Sequence, residues 1–332
     1  MTPKERVMAH LTGKPVDKIP NFNILMSFAA RYIGRGMDEF CKDHRILAQG
    51  NMRSNEAFGI DLMNTMSDAY RETADYGAPI RFPPDALPQC EHYIKGPEDM
   101  GKLKSFRIED STRMLDRMHA IELYKRETGD HWPIMGWIEG CGAESADLMG
   151  LSELVFALYD EPEMVREIFE ICFETAKACI EPQVKAGADI IGMGDAVASV
   201  LGPAVYKEWI LPYERKLFDE IKRCGAKGRL HICGDIGPIL DDVATCGADI
   251  IDIDWMVDFR TAHEKLSEKA VICGNFDPVT IVQDSSPEKI KSAVHDCVKA
   301  SEGKCIIMAG CEIPRDTPHE NLAAVHEALL EF

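Results

Sequence analysis

The chain has 332 residues, 45 % apolar and 28 % charged, which describes an ordinary globule long enough for one large α/β barrel or two average domains. Fifty-six acidic against 37 basic residues give a formal net charge of −19, which repels nucleic acid and anionic membrane, and no basic stripe reverses it locally. No apolar run approaches the roughly 18 residues of a transmembrane helix, and no apolar h-region follows Met1-Thr2-Pro3-Lys4-Glu5-Arg6, so a cytoplasmic location is expected.

Taken in order, Thr2-Pro3 opens a first helix with an N-cap and a proline at N1. Short apolar, β-rich runs then recur at Ile19–Leu25, Asp61–Thr65, Trp132–Ile138, Asp189–Met193, Gly228–Cys233, Asp249–Asp254, Ala270–Gly274 and Cys305–Ala309. Between them lie amphipathic stretches. Pro162 to about Lys185 carries Met164, Ile168, Ile171, Phe173 and Cys179 at near-helical spacing; Pro203–Lys222 and Pro287–Ala300 read the same way.

Eight near-continuously apolar strands separated by helices predict a parallel sheet covered on both faces. Ala186-Gly187-Ala188-Asp189-Ile190-Ile191 recurs 60 residues later as Cys246-Gly247-Ala248-Asp249-Ile250-Ile251, a spacing of two βα units. The expected fold is therefore α/β, a single (β/α)8 TIM barrel over residues 1–332. The stretch 66–126, with Pro83-Pro84 and Pro88, is expected to be an insertion or irregular excursion near the barrel mouth after the second strand.

In such barrels the chemistry sits at the C-terminal ends of the strands. His231 and Cys233 stand two apart at the end of the fifth strand and point the same way; Cys311 follows the eighth. One imidazole and two thiolates converging there form a zinc site with a position to spare, and Asp254, after strand six, is a candidate fourth ligand. A packed core pair of His231 and Cys233 is the alternative, since free cysteine is among the most buried residue types. Glu139, Asp195, Tyr206 and Asn275 are candidate substrate-binding groups, each of which could equally be a satisfied polar residue at the rim. The remaining cysteines show no secreted-framework spacing, and sixteen methionines beside them suit a well-reduced or anaerobic interior.

Several stretches resemble the uroporphyrinogen decarboxylase superfamily: Ala30-Arg31-Tyr32, Met66-Ser67-Asp68, the run Gly247 to Trp255, and Gly274-Asn275-Phe276-Asp277-Pro278. The likeness covers nearly the whole chain and is firmest from Ala186 onward. His231-Ile232-Cys233 with Gly310-Cys311-Glu312-Ile313-Pro314 is similar to the zinc signature of the corrinoid-dependent methyltransferase branch, the methylcobamide:coenzyme M methyltransferases. The resemblance implies that His231, Cys233 and Cys311 bind Zn2+ and act catalytically. It implies a methyl group moved between a methylcorrinoid and a small, coenzyme M-like thiol. The demethylating direction, from an aryl methyl ether or methylamine to cobalt(I), and a porphyrinogen decarboxylase are the rival readings. No Asp-x-His-x-x-Gly corrinoid-ligand pattern is present, so the corrinoid is expected on a partner protein or free in solution. Gly140-Cys141-Gly142-Ala143 stands where relatives often carry Gly-Pro-Phe-Thr, so a different substrate pocket is expected.

Overall fold

The computed structural model describes residues 1–332. Its strands are β1 (Met63–Asn64), β2 (Ile80–Arg81), β3 (Gln89–Cys90), β4 (Ile134–Glu139), β5 (Ile190–Gly194), β6 (Lys227–His231), β7 (Ile250–Asp252), β8 (Val271–Phe276) and β9 (Cys305–Ala309). Seven form one curled parallel sheet in the order β1-β4-β5-β6-β7-β8-β9, with helices between successive strands, as a (β/α)8 barrel requires.

The expected first strand, Ile19–Leu25, is reduced to a single parallel bridge between Asn21 and Ile307. It still joins the two sheet edges. Phe22 N–H donates to Ile307 O (2.9 Å), Ile307 N–H to Pro20 O (2.9 Å) and Asp61 N–H to Asn21 O (2.8 Å). The ladder is short because side chains replace its rungs: Asp61 Oδ2 accepts from Asn21 N, and Asn23 Oδ1 accepts from Ala309 N. Pro20 has no N–H to offer.

Period-two alternation sorts the strands' side chains into two clusters. Met135, Trp137, Ile190, Ile250, Cys273, Ile306 and Met308 belong to a small cluster inside the barrel. The intervening residues, such as Ile138, Ile191, Leu230, Ile251 and Ile272, join the large cluster under the helices. Arg229 shares the inner face: its guanidinium lies over Phe22 and reaches the sulfurs of Met135 and Met308. The two copies of the Gly-Ala-Asp-Ile-Ile repeat do the same work. Asp189 accepts from Ile134 N and Asp249 from Gly228 N, each carboxylate pinning the start of the adjacent strand.

After β1 the chain takes an irregular course through the short helix Arg71–Asp75, the antiparallel pair β2–β3 and two 3-10 turns. It becomes regular earlier than 126, because Arg113–Thr128 is a 16-residue helix. The helix expected over Pro203–Lys222 is instead Ala198–Val205, a π segment Tyr206–Ile210 and Leu211–Arg223. Pro212, lacking an N–H, cannot continue an unbroken α ladder there.

Candidate metal centre at the barrel mouth

Strand register places the site. Glu139 on β4 pairs with Gly194 on β5, and Gly194 with His231 on β6, so one row across three strands ends at the histidine. Cys233 lies in the loop just past β6 and Cys311 two residues past β9. The His231 Nε2–Cys233 Sγ distance is 3.2 Å, Cys233 Sγ–Cys311 Sγ 3.6 Å and Cys311 Sγ–His231 Nε2 3.9 Å. A tetrahedral zinc with bond lengths of about 2.3 Å to sulfur and 2.0–2.1 Å to nitrogen has S–S and N–S edges of about 3.8 and 3.6 Å. The three donors span a triangle of that size, so these residues could hold such an ion.

The histidine is set by what lies behind it. Its Nδ1–H donates to Asp252 Oδ2 at 2.8 Å, a tautomer read from the hydrogen-bond network, which leaves the Nε2 lone pair facing the two sulfurs. Arg229 Nε lies 2.9 and 3.0 Å from the two Asp252 oxygens. Burial alone would raise the Asp252 carboxyl, but Arg229 and then His231 hold it below its usual range. The Cys233 hydrogen bond brings the Cys311 thiol down to about 4 against the upward push of burial, with His231 adding to the effect, and the same contact pushes Cys233 up. One thiolate of the pair is therefore favoured by its surroundings.

Asp254 lies outside this cluster of three. Its oxygens accept from Gly234 N and Trp255 N, both at 2.6 Å, so the carboxylate clasps the loops after β6 and β7. Asn275 likewise ties loops, donating to Val257 O (2.7 Å) and Asp254 O (3.2 Å). Tyr206 is fully buried and donates to Glu214 Oε2 at 2.6 Å. Asp195 is buried and accepts from Ala143 N at 2.9 Å, capping the helix Cys141–Met149 from the end of β5. That cap explains the glycine at 142, where a Cβ would fall 2.7 Å from Asp195 Oδ1.

The cluster borders a cavity of about 480 Å³ at the C-terminal strand ends, lined by 21 residues of which 14 are hydrophobic. Glu139 lines it and Asp195, Tyr206 and Asn275 do not. Glu139 Oε1 accepts from Trp137 Nε1 at 2.7 Å, and Gly194 opposite leaves room for it, since a Cβ there would sit 2.8 Å from Glu139 Oε2. Burial first, then the carboxyls of Glu72 and Asp147, push Glu139 well above the usual range. Asp68 also lines the cavity. Burial would raise it, but a two-pronged contact with Arg113 (2.7 and 2.9 Å) keeps it well below.

Sequence reasoning passed over Asp147 and Trp137 as site residues, and placed Asp252 at the strand ends with His231 without giving it a role. Asp252 carried a usable signal: it stands on the strand next to His231, two positions before Asp254, and so shares its face.

Comparison with known proteins adds relatives of full length. A family model described as uroporphyrinogen decarboxylase (URO-D) matches residues 2–332. The methylcobamide:CoM methyltransferase MtbA of Methanosarcina mazei is 27 % identical over 340 residues, covering 100 % of this chain and 98 % of its own. A uroporphyrinogen decarboxylase of Coxiella burnetii is 25 % identical over 352 residues, covering 99 % of this chain and 95 % of its own. Among solved structures, a methyltransferase from Methanosarcina mazei superposes with a TM-score of 0.91 at 22 % identity, covering 100 % of this chain and 99 % of that one. No helix of this chain is long and apolar enough to cross a membrane. The chain belongs to the uroporphyrinogen decarboxylase (URO-D) family.

Proposed function

We propose that this protein is a zinc-dependent methyltransferase that moves a methyl group from a methylcorrinoid, brought by a corrinoid-binding partner or free in solution, to a small thiol. The observation that carries the reading is the His231–Cys233–Cys311 triangle on the wall of a mouth cavity. The methylcobamide:CoM methyltransferase relatives support the reaction class.

Zinc bound there would take the substrate thiol in its open position and hold it as the thiolate, the nucleophilic form. The residues do the rest. Asp252 fixes the imidazole tautomer and Arg229 fixes Asp252, so the donor triangle is held from behind. Cys233 and Cys311, as thiolates, balance the charge of a divalent ion and leave the substrate sulfur electron-rich. With a methylcorrinoid as donor, a lone pair of the substrate thiolate would form the new C–S bond, and the electrons of the broken carbon–cobalt bond would stay on cobalt, cobalt(III) becoming cobalt(I). No side chain becomes methylated and no general base acts on the thiolate.

The porphyrinogen decarboxylase reading is disfavoured by the cavity itself. A porphyrinogen carries many carboxylates, and no lysine or arginine lines this wall, whereas Asp68, Glu139, Asp147 and Glu312 do. The deciding experiment is metal content together with methylcobalamin consumption. Thiol-dependent loss of methylcobalamin by protein holding about one zinc per chain supports the proposal; thiol-independent consumption, or activity without zinc, overturns it.

A further inference from the structure

The four acidic residues on the cavity wall are not equivalent. Asp68 is neutralised by Arg113, and Glu312 Oε1 accepts from Ser27 N and Oγ at 2.7 and 2.6 Å. Glu139 is only 7 % exposed, yet just one of its oxygens is engaged, by Trp137; Oε2 has no hydrogen-bond partner and faces the cavity. Asp147, part-exposed on the same wall, takes part in none of the chain's side-chain hydrogen bonds or ion pairs. Both stand in one largely apolar chamber with the His–Cys–Cys triangle, and no lysine or arginine lines the chamber wall.

The unpartnered oxygen of buried Glu139 is costly unless something pairs with it, and the part-exposed Asp147 on the same wall has no partner either. An anionic tail on the substrate would meet two carboxyls and no lysine or arginine to balance its charge. An ammonium tail would give each an N–H donor. We infer that the thiol accepted at this site is an aminothiol, whose positively charged amino group is received by Glu139 and Asp147 while its sulfur reaches the His231–Cys233–Cys311 cluster. The inference rests on the thiol methyltransferase reading and departs from the substrate named for the coenzyme M methyltransferase relatives. Burial and neighbouring carboxyls push both groups well above their usual range, so the amine's arrival is what makes an ionised carboxylate favourable there.

The test uses the zinc-loaded protein and three thiols of one length that differ only in the tail: cysteamine (ammonium), 2-mercaptoethanol (neutral) and 2-mercaptoethanesulfonate (anionic). Binding is measured by calorimetry and methyl transfer by methylcobalamin consumption. Cysteamine should bind about tenfold or more tightly than the sulfonate, with the neutral thiol between them. Glu139→Gln and, as a second variant at a less buried position, Asp147→Asn should each shrink the cysteamine-to-sulfonate ratio severalfold. Equal or tighter binding of the sulfonate, or ratios unmoved in both folded variants, overturns the inference. If the binding order holds but no thiol consumes methylcobalamin, the amine assignment stands and the methyl-transfer reading fails. If methyl passes fastest to the sulfonate, transfer stands and the amine assignment fails.

Discussion

Asp252 Oδ2 accepts the Nδ1–H of His231 at 2.8 Å while both its oxygens take the guanidinium of Arg229, so one buried carboxylate on β7 governs the orientation of the histidine on β6. Partners of this kind fix the ring and raise its basicity as a ligand, and losing one typically lowers metal affinity 10–100-fold. Asp252→Asn keeps an oxygen for the Nδ1–H but removes the charge. Its zinc affinity, measured by chelator competition, should fall by roughly tenfold or more with the fold intact. Asp252→Ala strands the fully buried Arg229 and should cost about 3–5 kcal/mol in urea unfolding. Wild-type zinc affinity in Asp252→Asn would remove this residue from the site.

The two cysteines of the proposed site sit just past strand ends, part-exposed on the cavity wall and outside the packed layers. Cys233→Ala and Cys311→Ala should each lose zinc to a chelator that leaves the wild type holding about one ion per chain. Far-UV circular dichroism should stay unchanged in both. Stoichiometric zinc in either variant would show that the triangle does not hold it.

The barrel was legible from apolar runs separated by amphipathic helices, and the His231–Cys233 pair from its spacing of two at a strand end. Arg229, His231 and Cys233 are spaced by two, and the Gly-Ala-Asp-Ile-Ile repeat announces equivalent strand starts. The first strand was overstated because Asn21 and Asn23 trade ladder rungs for side-chain bonds, which periodicity does not register. Asp195, Asn275 and Asp254 stand just past or at strand ends, as expected from the sequence, yet none lines the cavity and their oxygens and amides hold loops or a helix end. Position along a strand gives the face of a polar residue; whether a backbone N–H has already claimed it depends on loop geometry.

Glu214 gives the fold a pH dependence of definite sign. Burial, with Asp195 adding to it, pushes its carboxyl up to about 8, and burial pushes Asp195 up to about 7. A carboxyl raised in the folded state binds its proton more tightly there than in the unfolded chain. Its contribution is full below the unfolded value near 4 and is lost as pH rises toward the folded value. Wild-type stability should therefore fall between about pH 5 and 8, and Glu214→Gln should flatten that slope by up to about 1.4 kcal/mol per pH unit. Urea titrations at matched zinc loading read this directly; identical slopes in the two proteins would contradict it.

Corrinoid docking is predicted at the mouth. Leu87, Leu151 and Val200 line the cavity and are nonetheless 48, 45 and 61 % exposed, while Trp255 and Met256, just past β7, are 46 and 52 % exposed on the loops of the same face. An apolar rim of this kind suits a partner that must bring its methyl–cobalt axis to within about 3–3.5 Å of the sulfur. Val200→Asp and Leu151→Asp should raise the KM for a methylated corrinoid protein about tenfold, with kcat, zinc content and melting temperature little changed, because exposed substitutions seldom move stability by more than about 0.5 kcal/mol. Phe332→Asp is the control: Phe332 is 46 % exposed beside Val271 and Lys304, at the N-terminal ends of β8 and β9. An effect confined to Phe332→Asp would place the corrinoid at the wrong end of the barrel and remove the partner from the proposed reaction.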